Sequence, residues 1–268
     1  MMTDGLANRS APLLPAFSTR WSGPVDDPEK VIDLEPTDLI KGLDTRRLHR
    51  MLVAGEELTN IYRVLAKTND NIVGLLLKDQ GTFYEWDHYP KGDCYDHETF
   101  CQYYYHAHRG ASGEHGHFHT FQRSRGMPAG VAQLPLERDT EWPKGTDVLA
   151  HLTAISMDRF GMPSHLFSTN RWVTGENLFG ANDIIRMLDR FEMDLISPSW
   201  VINRWISALV TLFRPQIEQM LHKRDGVLRQ QFASRPDDDV LEDRELEITA
   251  MTRIDHEKQI AAVKKVLG

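Results

Sequence analysis

Residues 103–119 read YYYHAHRGASGEHGHFH, two alternating runs joined by the small residues Gly110, Ala111, Ser112 and Gly113. Alternation at period two, aromatic neighbours and a glycine-bearing connection mark an antiparallel hairpin. That reading decides the fold class, because it places a sheet in the middle of a chain whose flanks carry helical periodicity. Side chains at i and i+2 of a strand share one face, about 6.6 Å apart. His106 and His108 therefore share a face of the first run, and His115, His117 and His119 share a face of the second. If His108 opposes His115, then His106 meets His117 and Tyr104 meets His119, and all five imidazoles line one surface. If the register slips by one residue, His106 and His108 instead share a face with Glu114, Gly116 and Phe118, and the cluster splits. The length of the connection does not choose between the two.

Outward from this hairpin, aromatic residues dominate 81–122, with breaks at Pro90-Lys91-Gly92 and at 110–113, which predicts several antiparallel strands. A second hairpin is expected from 149–158 and 164–172 around the turn at 158–163. Between the two hairpins, 124–147 carries Gly126, Pro128, Gly130, Pro135, Pro143 and Gly145. It reads as a long irregular connection of the kind that forms a lid or site wall. On the N-terminal side, Leu48, Met51, Leu52, Leu58, Tyr62 and Leu65 recur at helical steps. They predict a helix over 44–67, capped by Asp44 and stopped by Asn69-Asp70-Asn71. Residues 72–78 are a short apolar run that periodicity leaves open between strand and buried helix. Residues 1–36, rich in Pro, Ser and Asp, read as an extended or partly disordered arm, and 37–268 as one domain.

On the C-terminal side, Asn182 or Asp183 is expected to cap a helix with the stripe Ile184, Leu188, Phe191 and Leu195. Ser197-Pro198 should cap and begin the next helix, which is apolar almost all round from Trp200 to Phe213 and so belongs in the core. Pro215 should end or kink it. The alternation over 245–250 predicts a half-exposed strand at the sheet edge, and Asp255 a cap for a last helix. The architecture expected is α+β: a central antiparallel sheet, with hairpins near 99–122 and 149–172, packed with helices from both parts of the chain.

Composition narrows the function. The 268 residues carry a net charge of −8, which weighs against nucleic acid as a partner, since phosphate recognition shows as a basic domain or stripe. Two cysteines, Cys94 and Cys101, are too few for a disulfide scaffold and read as reduced thiols. The N-terminal stretch holds Asp4 and no charged-then-apolar leader, and no apolar run reaches the ~20 residues of a membrane span. A soluble, cytoplasmic protein without a membrane partner is expected. Its oligomeric state is not written in these features.

Histidines at this spacing suit a divalent transition metal, Fe, Cu or Zn, with His106, His108, His115, His117 and His119 as the candidate ligands. Strand geometry limits the set. His115 and His119 lie about 13 Å apart along a strand, so one ion takes neighbours from both runs, such as His106, His108, His117 and His119. Three histidines with an open position form a catalytic arrangement and a closed four a structural one. Glu114 is the candidate acid/base group or fourth ligand. His151 and His165 would add a ligand if the second hairpin pairs beside the first, and His88 and His97 would support the ligands. His49, His222 and His256 sit in helical contexts without partners. The reading is a metal-dependent enzyme on a small-molecule substrate, of the non-haem iron or copper oxygenase or zinc hydrolase type. The alternative is a metal-binding or sensing protein without turnover.

His106-Ala107-His108 and His117-Phe118-His119 also resemble the HUH motif of single-strand nucleases, but no tyrosine follows His119, so the attacking tyrosine would come from the N-terminal side, Tyr62 for example. Cupin-like dioxygenases pair His-x-His too, but their glycine spacing is absent. Arg171 beside Trp172 reads as an anion holder or a strand-end ion pair, and Arg204, inside the apolar helix, needs a carboxylate or a polar pocket. The strings GTFYEWDHYP (81–90), YYYHAH (103–108), EHGHFHTF (114–121), HLTAISMD (151–158) and TNRWVTGE (169–176) resemble an uncharacterised bacterial family, a conserved domain of unknown function, over roughly residues 45–265. The resemblance implies a bacterial, cytoplasmic protein and brings no activity, cofactor or site residue with it.

Overall fold

Seven strands form one sheet in the computed structural model, which describes residues 30–109, 113–135 and 141–268. The strands are β1 (Val31–Ile32), β2 (Tyr89–Tyr95), β3 (Cys101–His106), β4 (Glu114–Arg123), β5 (Leu149–Asp158), β6 (Pro163–Thr169) and β7 (Ile248–Arg253). Their order is β1-β7-β6-β5-β4-β3-β2. Every pairing is antiparallel except that of β1 on β7. The helices are α1 (Pro36–Ile40), α2 (Thr45–Leu65), α3 (Ile72–Leu77), α4 (Arg171–Thr174), α5 (Ala181–Leu188), α6 (Trp200–Leu212), α7 (Arg214–Ser234) and α8 (His256–Leu267). The α+β architecture is therefore as expected, with one parallel edge. The arm through residue 29, the hairpin tip at 110–112 and part of the 124–147 connection lie outside the described residues.

The two faces of the sheet have opposite characters. Tyr103, Tyr105, Phe118, Leu152, Ile155 and Leu166 point into the main core, with α2, α6 and α8 against them. Trp205 of α6 meets Phe118 with ring centroids 5.3 Å apart. Asn203 is a polar group there that reaches the sheet: its Oδ1 accepts from Tyr103 Oη at 2.8 Å, and its Nδ2 donates to the Leu195 and Ser197 carbonyls. Burying Trp205, Ile206 and Leu209 contributes roughly 2 kcal/mol each, which makes α6 the central helix its composition announced. α2 begins at Asp44, whose carboxylate accepts from Arg47 N at 2.8 Å. It packs on α8 so closely that a Cβ at Gly55 would fall 2.5 Å from Ile260 Cγ1. The opposite face carries the alternate residues of the same strands, and there the histidines gather.

Local structure decides the reading left open at 72–78, ends the apolar helix just before Pro215 as expected, and corrects several other expectations. Residues 72–77 are helical, because Asn71 caps them by accepting from Gly74 N at 2.9 Å. The second hairpin stops at Thr169, since Asn170 turns the chain into α4 and caps it. α5 starts at Ala181 and ends at Leu188, so Phe191 and Leu195 pack from the segment beyond it. Ser197-Pro198 is a cis peptide, and α6 begins at Trp200 after Ser199. Pro215 stands in the first turn of α7, where its missing N–H costs nothing. β7 is buried along most of its length: it lies one strand in from the edge, with β1 paired outside it and α7 packed against it. No helix among the described residues is long and apolar enough to cross a membrane.

Candidate metal centre

The β3–β4 register pairs His106 with His117 and Tyr104 with His119, the alignment that puts these side chains on one face. β3 ends at His106, so His108 is not paired. The Trp86 indole holds it instead, stacked on the imidazole with centroids 4.3 Å apart.

Two bulges in the β4–β5 ladder select which other residues join. Glu114 opposes Asp158 and Gly116 opposes Met157, so β4 carries one extra residue there. A bulge reverses the alternation on one side of itself. Glu114 consequently lands on the histidine face, with Oε1 against His117 Nδ1. His115 leaves that face: its Nδ1 meets Tyr105 Oη at 2.6 Å and its ring lies 5.8 Å from Phe83. The five-histidine surface is thereby reduced. A second bulge, where Thr120 opposes Thr153 and Phe121 opposes His151, brings His151 onto the histidine face and sends Leu152 to the core.

His106, His108 and His117 converge, their ligating nitrogens all within 4.8 Å of one another. His106 Nε2 and His117 Nε2 are 2.7 Å apart. Bonds of ~2.1 Å in tetrahedral geometry separate ligand nitrogens by ~3.4 Å, so the spread of this group brackets what one ion requires. Burial holds all three imidazoles neutral, the state a metal needs. His106 and His117 are pushed well below the usual histidine range by burial first and by neighbouring cationic or imidazole groups second. His108, half-buried, is pushed down to about 4 by burial and by Arg109.

Glu114 fixes the tautomer. A carboxylate on Nδ1 keeps the proton there and leaves Nε2 of His117 as a lone pair directed at its neighbours. Ser156 Oγ donates to the other oxygen at 2.7 Å, and Arg109 Nη1 stands 3.7 Å from it. Burial raises the Glu114 carboxyl while Arg109 opposes the shift. Arg109 itself is paired with Glu247, Nε to Oε1 at 3.0 Å, and lies over the Phe167 ring. Sequence reasoning missed Arg109, Ser156 and Glu247. The only signal for Arg109 was its place directly after His108, and pairing across 138 residues gave none for Glu247.

His119 stands beside the group, its ring 4.9 Å from His117 and 5.2 Å from His106. Its Nδ1 meets His151 Nε2 at 3.0 Å, and its Nε2 is buried with no hydrogen-bond partner among the described residues. His151 is pushed down to about 3 by burial and Arg224. Its backbone N–H donates to Glu176 at 2.6 Å. Burial pushes that carboxyl up to about 7, with Arg224 opposing. His88 stacks on Tyr104 at 3.6 Å and contacts Asp93 through Nδ1 at 3.0 Å.

The remaining candidates are not members of the triad. His165, on β6 opposite Ser156, turns Nδ1 to Ser164. His97 meets only the Tyr95 ring among the contacts described. His49 and His222 are exposed, and His256 packs on Tyr62. Arg171 pairs with Glu242 and Arg204 with Glu57, so neither serves the site. Tyr62 accepts from Trp205 Nε1 at 2.7 Å on the helical face of the sheet, opposite the histidines. The described part of the 124–147 connection packs on 177–186 through Ala132, Gln133 and Ala129.

A family model described as a domain of unknown function (DUF6969) matches residues 52–254. No curated protein and no solved structure matches the chain.

Proposed function

The chain belongs to the DUF6969 family, and we propose that it is a metal-dependent enzyme acting on a small molecule. The observation that carries this reading is the convergence of His106, His108 and His117, with Glu114 on the far nitrogen of His117. Three neutral imidazoles, the group that converges among the described residues, match the catalytic pattern, which leaves a position for water or substrate. An iron, copper or zinc ion held there would polarise a substrate oxygen or activate a bound water. The chain supplies the rest. Glu114 orients His117, Ser156 and Arg109 orient Glu114, and Phe167 with Tyr104 excludes water around the rings. His108, the half-buried member, marks the side from which a substrate enters. Free, buried Cys94 and Cys101 support a reducing, cytoplasmic setting.

One observation favours a second reading, a non-catalytic metal site. His119 Nε2 is buried without a described partner, and a turn of that ring would supply a fourth ligand and close the centre. The test strips the protein with chelator and reloads it with Fe(II), Cu(II), Zn(II) or Co(II), followed by elemental analysis. One ion per chain is expected, lost in His106→Ala and His117→Ala. The Co(II) spectrum then separates an open site with exchangeable water from a closed four-histidine site. Absence of stoichiometric metal after reloading, or a content unchanged in both variants, sinks the proposal.

A further inference from the structure

The open side of the triad is bordered by residues 79–88, a loop whose aromatic side chains face outward. Phe83, Tyr84 and Trp86 are 36%, 60% and 55% exposed. The loop is built rather than slack. Trp86 N donates to Ala107 O at 3.0 Å, Tyr84 N donates to Tyr89 Oη at 2.7 Å, and Phe83 stacks on Tyr89. Asp79 and Trp86 hold positive φ, 63° and 73°. Bulky side chains rarely adopt that conformation, and here it lays the indole against His108, a member of the triad.

Between the aromatics stand Glu85 and Asp87, both exposed and neither in an ion pair among the described residues. Water-exposed ring faces gain when an apolar body covers them, and ring faces with adjacent carboxylates favour a cation. The net charge of −8 adds attraction at longer range. We propose that residues 79–88 form the recognition rim of this centre and select small organic cations, an ammonium group carried on an apolar or aromatic body. The proposal rests on the reading of His106, His108 and His117 as a metal centre.

The test uses the full chain loaded with Co(II), its metal content measured alongside, and three probes that ligate metal poorly: benzyltrimethylammonium, benzyl alcohol and benzenesulfonate. The cation should bind tightest, and its proton relaxation should be enhanced by the nearby Co(II). Tyr84→Ala and Trp86→Ala should each weaken it by about threefold or more. Glu85→Gln with Asp87→Asn should bring the cation level with the neutral probe. Tyr84 and the two carboxylates contact no member of the triad in the described structure, so these variants test the rim even if Trp86→Ala disturbs His108. Equal affinity for the three probes, or binding indifferent to these variants, overturns the rim. Selective binding without relaxation enhancement in metal-replete protein overturns its place beside the metal. Selective, variant-sensitive binding in a protein that takes up no metal leaves the rim standing and removes the centre.

Discussion

His117 uses both ring nitrogens, Nδ1 toward Glu114 and Nε2 toward His106. Removing the charge of Glu114 while keeping its shape should therefore weaken metal without dismantling the triad. Glu114→Gln is expected to lower metal affinity ~10–100-fold, read by competition with a chromophoric chelator, while His115→Ala should leave it unchanged. Equal losses in the two variants would mean that the bulge does not set their roles. Glu176 makes a different prediction. Its carboxyl is raised to about 7, so the folded protein holds a proton that the unfolded chain has released. That contribution is complete below about pH 4.5 and is lost as pH rises through 7. Glu176→Gln, which keeps an acceptor for His151 N, should stabilise the protein at pH 8 by on the order of 2–3 kcal/mol and change little at pH 4.5. Urea denaturation at the two pH values distinguishes this from a substitution that acts equally at both.

At the scale of elements, the β4 bulge decides the site, and it depends on Gly116. A Cβ there would lie 2.5 Å from the His106 carbonyl oxygen and against Tyr105 Oη. Backbone cannot yield as a flexible side chain can. Gly116→Ala should cost roughly 1–3 kcal/mol, and should reduce metal affinity more than a core substitution of equal cost, since it displaces Glu114 and His106 together. Equal metal affinity at reduced stability would show that the bulge only packs. The same element explains what the sequence made legible. Period-two alternation announced the hairpin, and parity gave the partners of His106 and Tyr104, because both follow from strand geometry alone. The bulges did not follow. Nothing in EHGHFH says that Glu114 and His115 exchange faces, since that exchange is settled by the register against β5. Caps were legible where one side chain makes them, as at Asp44 and Asp255. They misled at Ser197-Pro198, where the local pattern fits a helix start but the chain makes a cis turn before α6.

Over the whole molecule, one sheet face buys stability through apolar burial while the other holds neutral imidazoles out of water, and the second makes the fold sensitive to acid. His108 and His151 titrate near 4 and 3 in the folded protein because burial disfavours their charged forms. His106, His117 and His119 are depressed in the same direction. Unfolded histidine takes up its proton near 6.5. The contribution of these histidines is therefore unchanged above that value and falls as pH drops from 6.5 toward the folded values, because the unfolded state binds more protons. At pH 4 the loss is on the order of 3 kcal/mol for each of the two residues with resolved values. With three more residues acting in the same sense, the sum reaches the ~5–15 kcal/mol of a typical domain. The metal-free protein should unfold between pH 6 and 4, with a midpoint moved to lower pH by His151→Gln. Metal binds only the neutral folded site, so an ion at ~1,000 times its dissociation constant adds about 4 kcal/mol. That increment should persist to about pH 5, since protons compete for His108 only near 4. Thermal denaturation from pH 6.5 to 4, with and without metal, should give two descending curves whose separation holds nearly constant to about pH 5. A metal-free curve flat through this window would mean that the imidazoles are hydrated in solution, and the argument from burial to a neutral, metal-ready triad would fail with it.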